Sequence, residues 1–202
     1  MAIKAANDKS MSNITALPSG VNAKSMILLA TETASSSSTI NFTSGIDSTY
    51  KEYIFKCYDI HPSGDATDLQ INFRDGSTAY DATKTTTVFR AYHNEAGDDT
   101  TLSYQTSWDL AQGTGVQLIS HGIDNDNDSC AVATLHLFDP SSTTFVKHFL
   151  TVVSNSHNSD YEKNTYTGGY YNTTSDIDAV QFTMSSGNID AGTIKLYGIK
   201  DS

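Results

Sequence analysis

The stretch "AVQFTMSSGNIDAGTIKLYGI" (residues 179–199) reads as two strands about a turn. In its first half Val180, Phe182 and Met184 fall on one side, with Gln181 and Thr183 on the other. In its second half Ile194 and Leu196 share a side. A period of two puts one face of a strand against a core. Between the halves stand Ser186, Gly187 and Asn188, residue types that enter turns because Gly reaches positive φ freely and Asn tolerates it. The spacing predicts a hairpin whose second strand completes a sheet.

The same alternation recurs toward the N-terminus. In "EYIFKCYDI" (52–60), Tyr53, Phe55 and Cys57 oppose Ile54, Lys56 and Tyr58. Strand-like runs continue through "MILLATET", "TINFTSGI", "DLQINFRDGS", "TTTVFRAYH", "LSYQTSW", "GVQLISHGI", "SCAVATLHLFDP", "TTFVKHFLTVVS" and "NTYTGGYYN". Turn signals separate them: Pro62 to Gly64, Asp75-Gly76, Ala96 to Asp99, Gly113 to Gly115, Asp124 to Asp128, Asp139 to Ser141, and Gly168-Gly169. No stretch keeps an apolar period of 3.6 over three turns; "DGSTAYDATKT" (75–85) is the best candidate for a helical turn. The expectation is an all-β protein: an antiparallel, jelly-roll-like β-sandwich of roughly eight core strands plus extras over residues 26–202. Residues 1–25 have weak periodicity and a Pro18-Ser19-Gly20 break, and read as an arm or linker.

Composition agrees. The 202 residues suffice for one domain plus an arm. Only 17% are charged, while Ser, Thr, Asn and Gly abound, which suits strands and polar turns more than surface helices. The net charge of -11 repels phosphate backbones and argues against nucleic-acid binding. No segment approaches a membrane-spanning length, and "SMILLA" is too short for a signal h-region, so synthesis in a cytoplasm without membrane insertion is expected. Cys57 and Cys130 lie in apolar-rich runs and are expected to be free thiols packed as small hydrophobes.

Several residues are candidates for chemistry. Asp124, Asp126 and Asp128 alternate as in calcium loops, but the sixth and twelfth loop positions are Ser129 and Leu135, so this is not an EF-hand. A polar turn is the expectation there, with a looser calcium site as the alternative. His136 and His148 lie in neighbouring runs and are candidates to face each other across a hairpin. Trp108, Tyr104, Tyr92, Tyr166, Tyr170 and Tyr171 suit either a subunit interface or stacking on sugar rings. There is no G-x-S-x-G elbow, P-loop or dinucleotide fingerprint. No catalytic, cofactor or metal residue is assigned, and the protein is expected not to be an enzyme.

Three stretches carry a resemblance: "INFTSGIDSTYKEY" (40–53), "HLFDPSSTTFVKH" (136–148) and "FTMSSGNIDAGTIKLYGI" (182–199). With the opening "MAIKAANDKSMSNITALP", they resemble a family of small structural proteins of tailed bacteriophages, especially phages of marine bacteria. The resemblance implies a virion protein on the particle exterior, in a tail fibre or appendage, working in assembly and host attachment. It implies homo-oligomers, commonly trimers, an N-terminal arm that joins other virion proteins, and no catalytic residues. A capsid decoration (cement) protein and a carbohydrate-binding module that takes a host-surface glycan are the alternatives.

Overall fold

A computed structural model describes residues 25–200. The expected arm therefore lies outside the described residues, Ser25 apart. Among the described residues every regular element is a strand. They are β1 (Met26–Thr33), β2 (Ile40–Phe42), β3 (Glu52–Pro62), β4 (Thr67–Arg74), β5 (Lys84–Asn94), β6 (Thr100–Tyr104), β7 (Gln117–Ile123), β8 (Ala131–Phe138), β9 (Lys147–His157), β10 (Tyr161–Tyr171), β11 (Ala179–Met184) and β12 (Ile189–Ile199). Each run named above overlaps one of them, with ends that differ by several residues at β6, β9 and β10. The helical-turn candidate at 75–85 is instead a loop that enters β5 at Lys84.

All pairings are antiparallel. One run of strands has the order β1-β12-β3-β8-β9-β10-β5-β6, and a second has the order β2-β11-β4-β7. They join where Ile123 of β7 meets His157 of β9, and a bridge from Ser37 to Ile189 approaches closure on the far side. The sheet thus wraps almost fully around its core, nearly closing into a barrel.

Two aromatic groups pin one run to the other. Phe55 on β3 packs against Phe42 on β2 and Phe182 on β11, with centroids 5.2 and 5.7 Å away. Phe73 on β4 packs against Phe149 on β9 and Tyr171 on β10 at 5.6 and 4.5 Å. All six rings are buried, and aromatic burial of this kind supplies most of the drive to fold a β-domain. Toward β5, β7, β9 and β10 the interior turns polar. Buried Lys84 donates to Asn72 Oδ1 (2.7 Å) and the Ala82 carbonyl (3.1 Å). Thr86 donates to Gln117 Oε1 (2.7 Å), and Ser120 to Asn155 Oδ1 (2.9 Å). Partners like these are what make buried polar groups tolerable.

Two expectations are corrected. The turn at 186–188 does not close a hairpin: β11 pairs with β4 and β2, whereas β12 pairs with β3 and β1. The turn carries the chain from one run to the other. Gly187 sits at φ 70° against Ser63, and Ser63 Oγ accepts from the Asn188 N–H (2.9 Å) while the Ser63 N–H donates to the Asn188 carbonyl (3.0 Å). These bonds to the end of β3 set the new direction. Gly168-Gly169 is not a turn either; both lie within β10, paired continuously with β9 and β5. A Cβ at Gly169 would stand 2.6 Å from Thr86 Cγ2 and 2.8 Å from Phe149 Cε1, so glycine here answers crowding, not bending.

Candidate functional site

Two features of the β8-β9-β10-β5-β6 region stand out, one on each face. On the outer face, register places Thr134, Val152, Tyr166, Phe89 and Tyr104 side by side in a row across five strands. Phe89 and Tyr166 stack at 4.9 Å and 8°. A neighbouring row holds Val132, Ser154, Asn164, Ala91 and Leu102, with Leu150 beside Gly168 on the other flank. Leu102 is 75% exposed and Leu150 53%. None of these residues carries a charge, in a chain with 23 acidic and 12 basic residues. Exposed apolar side chains thus sit beside polar ones here, with outward Glu162 accepting from Ser154 Oγ (2.7 Å) and Asn164 Nδ2 (3.1 Å).

On the inner face, alternation along β5 points Arg90 and Tyr92 the same way as buried Val88. Along β10 it points Tyr161 and Lys163 inward, and along β9 His157. β7 supplies His121 from the opposite side. These six residues line a cleft of about 260 Å³. Trp108, His121 and His157 form a stack, with centroids 4.7 and 5.8 Å apart and planes within 17°. Tyr161 meets His157 edge-on at 5.7 Å, and Tyr92 meets Tyr161 at 4.9 Å. The Arg90 guanidinium lies 4.9 Å from the Trp108 ring and 5.3 Å from that of Tyr92. Aromatic flanks hold its plane in place. Gly122, at φ 66°, leaves the space that the His157 ring occupies; a Cβ there would fall on the imidazole. The Gly122 N–H donates to Asp68 Oδ1 (2.9 Å), which fixes that backbone.

The cleft is electrostatically crowded. Burial first, then Lys163, His121 and Arg90, drive the His157 imidazole down to about 4, against the pull of Asp65. Burial first, then Arg90, brings Lys163 down to about 8, with Asp68 opposing. His121 is lowered by burial first, then by Lys163 and Arg90, again against Asp68. Among the described residues Lys163 Nζ finds only the His121 carbonyl (3.3 Å) and ring Nδ1 (3.4 Å). Arg90 Nε is buried and has no hydrogen-bond partner among the described residues.

The other candidates disperse. Asp124 accepts from the Asp126 N–H (3.2 Å) and from Ser129 Oγ (2.9 Å), the bonding of a compact turn. No group of three or more His, Cys, Asp or Glu arranged to hold a metal occurs among the described residues. His136 lies opposite Leu150, not His148, and bonds Glu52 at 2.6 Å, so the two histidines do not meet as cross-strand partners. Cys57 and Cys130 are free; burial pushes the Cys57 thiol up to about 12. The aromatics divide. Tyr171 is core, Tyr166 and Tyr104 lie on the outer face, and Tyr92 and Trp108 flank Arg90. Sequence reading missed the cleft because its residues come from four strands. The available signal was Arg90, a charge on the inward side of an alternating run.

No family model matches the chain, and no curated protein matches it.

Proposed function

We propose that this chain is a non-enzymatic structural protein of a tailed-phage virion, a tail-fibre or appendage subunit that assembles as a homo-trimer through the outer face of its long run. The observation that carries the assembly is the uncharged row Thr134, Val152, Tyr166, Phe89 and Tyr104 with its flanking Leu102 and Leu150. Its occupant is a second copy of the chain. Copies with a net charge of -11 repel one another, and an uncharged row, bordered by Glu162 on Ser154 and Asn164 and by Asp109 on Tyr104, is where they can meet.

The strand order supports a virion role. β1-β12-β3-β8 and β2-β11-β4-β7 are read as the two four-strand sheets of a jelly-roll sandwich. β9, β10, β5 and β6 then extend the first sheet beyond β8. Jelly rolls serve as capsid and lectin domains, architectures built to pack and to bind. The three stretches that resemble tailed-phage structural proteins supply the context.

Mass by light scattering over a range of concentrations tests the assembly. A trimer is expected, and Phe89→Lys with Leu150→Lys is expected to return it to monomer while the fold persists. A wild-type monomer at every concentration overturns the interface. Mass spectrometry of purified particles tests the virion role, and absence of the chain from them overturns it.

A further inference from the structure

We propose that the inner-face cleft is a binding site for a small oxyanion, a carboxylate or a tetrahedral oxyanion borne on a sugar-sized ligand.

Charge points to it first. The chain has an excess of acidic residues, yet the cleft lining of Arg90, Tyr92, His121, His157, Tyr161 and Lys163 includes no carboxylate. Ion pairs among the described residues are Lys51–Asp139, Arg74–Asp178 and His136–Glu52; neither Arg90 nor Lys163 takes part in one. Asp68, the acidic residue that acts on both His121 and Lys163, is already engaged by the Gly122 N–H. One permanent cation, Arg90, the titratable Lys163 ammonium and two imidazoles thus converge on one space whose lining holds no carboxylate, with Asp68 acting on them from outside it. Buried charges are normally paired, so this arrangement is one that a ligand completes.

The cleft is also pre-organised. Trp108 and Tyr92 flank the Arg90 guanidinium, the Trp108–His121–His157 stack fixes both imidazoles, and Gly122 lets His157 approach. Donors held in place lose little freedom when a ligand arrives. Size and lining fit as well. About 260 Å³ is below the roughly 300–1,000 Å³ of drug-sized pockets, and Tyr92 and Tyr161 offer ring surface beside the cations. A single sugar ring carrying an acid group matches both the volume and the mixture of aromatic and cationic walls.

An entering anion reverses the crowding. It favours the charged forms of His157, His121 and Lys163, so binding takes up protons and strengthens as pH falls from 7.5 toward 5. The groups that set this response are Arg90 on β5, Lys163 on β10, His121 on β7, His157 on β9, and the opposing Asp68 and Asp65; the Tyr161 hydroxyl beside them donates to Asp99 Oδ2 (3.1 Å). The cleft and the outer face lie on opposite sides of the sheet, so binding and assembly can fail separately.

The test is a titration of the full chain with glucuronate, with sulfate and with glucose, followed by the imidazole proton resonances of His121 and His157. Sulfate keeps its charge across the pH range and serves as the tetrahedral probe. Saturable shifts with glucuronate are expected, at least tenfold weaker in Lys163→Met and Arg90→Gln, and tighter at pH 5.5 than at 7.5. Glucose is expected to be silent. Saturation by sulfate but not glucuronate supports the site and assigns it to phosphate-like groups; the reverse assigns it to sugar acids. No shift with either anion overturns the proposal, as do shifts that survive both substitutions, or equal shifts with glucose. The wild-type pH profile needs no variant, and an affinity independent of pH also overturns it.

Discussion

Replacing Lys84 by Met tests whether the polar half of the interior is as dry as its geometry implies. Lys84 is wholly buried, and its ammonium is held by two acceptors. Burial lowers its titration point from 10.5 to about 8, against the weaker pull of Asp81. For a base depressed on folding, the charged form is disfavoured in the folded state. The penalty is fully present below about 8 and disappears as pH rises through 10.5. A fall of that size corresponds to about 3 kcal/mol. Urea unfolding of the wild type and of Lys84→Met at pH 7.5 and at 10.5 isolates it. All other titrating groups cancel between the two proteins, and the hydrogen bonds lost to Asn72 and Ala82 give an offset that does not change with pH. The stability of the wild type relative to the variant is expected to rise by about 3 kcal/mol across that range. If the two pH profiles run parallel within about 0.5 kcal/mol, the ammonium is solvated and the reasoning fails.

Two further outcomes are expected. Gly169→Ala places a Cβ 2.6 Å from Thr86 Cγ2 and 2.7 Å from the Thr85 carbonyl oxygen, and is expected to destabilise the fold by about 1–3 kcal/mol, read as a lowered Tm; an unchanged Tm would mean that β5 and β9 yield freely. At pH 8 a thiol reagent is expected to modify Cys130, which is partly accessible, and to leave Cys57 unmodified until urea is added, as mass spectrometry will read; native labelling of Cys57 would contradict its burial.

Strand identity was legible in the sequence because it depends on neighbours: Val180, Phe182 and Met184 announce β11 by alternation alone. Strand order was not, since it depends on where a turn sends the chain. The turn at 186–188 has the residues of a hairpin, and only its bonds to Ser63, over a hundred positions earlier, make it a crossing between runs. Gly168-Gly169 misled for a similar reason. Glycine signals a bend or a close approach equally well, and the Phe149 and Thr86 side chains that decide between them lie on other strands. The cleft was hidden most deeply. Each of Arg90, His121, His157 and Lys163 is an ordinary polar residue in its own segment, and their meaning comes from meeting.

The position of β12 has a consequence for synthesis. Among the described residues it is the last of twelve strands in chain order, yet it is not at an edge; it fills the slot between β1 and β3. As the chain leaves the ribosome, β1 and β3 emerge early and must wait, with Phe55 and its neighbours lacking cover, until residue 199 has been made. Pairings that span so much chain form slowly, because a large loop must close before any contact compensates. The domain therefore completes its fold after translation of β12, and a nascent chain stalled before that point exposes an unfilled slot in its longest run of strands, a ready target for chaperones and for mispairing with another copy.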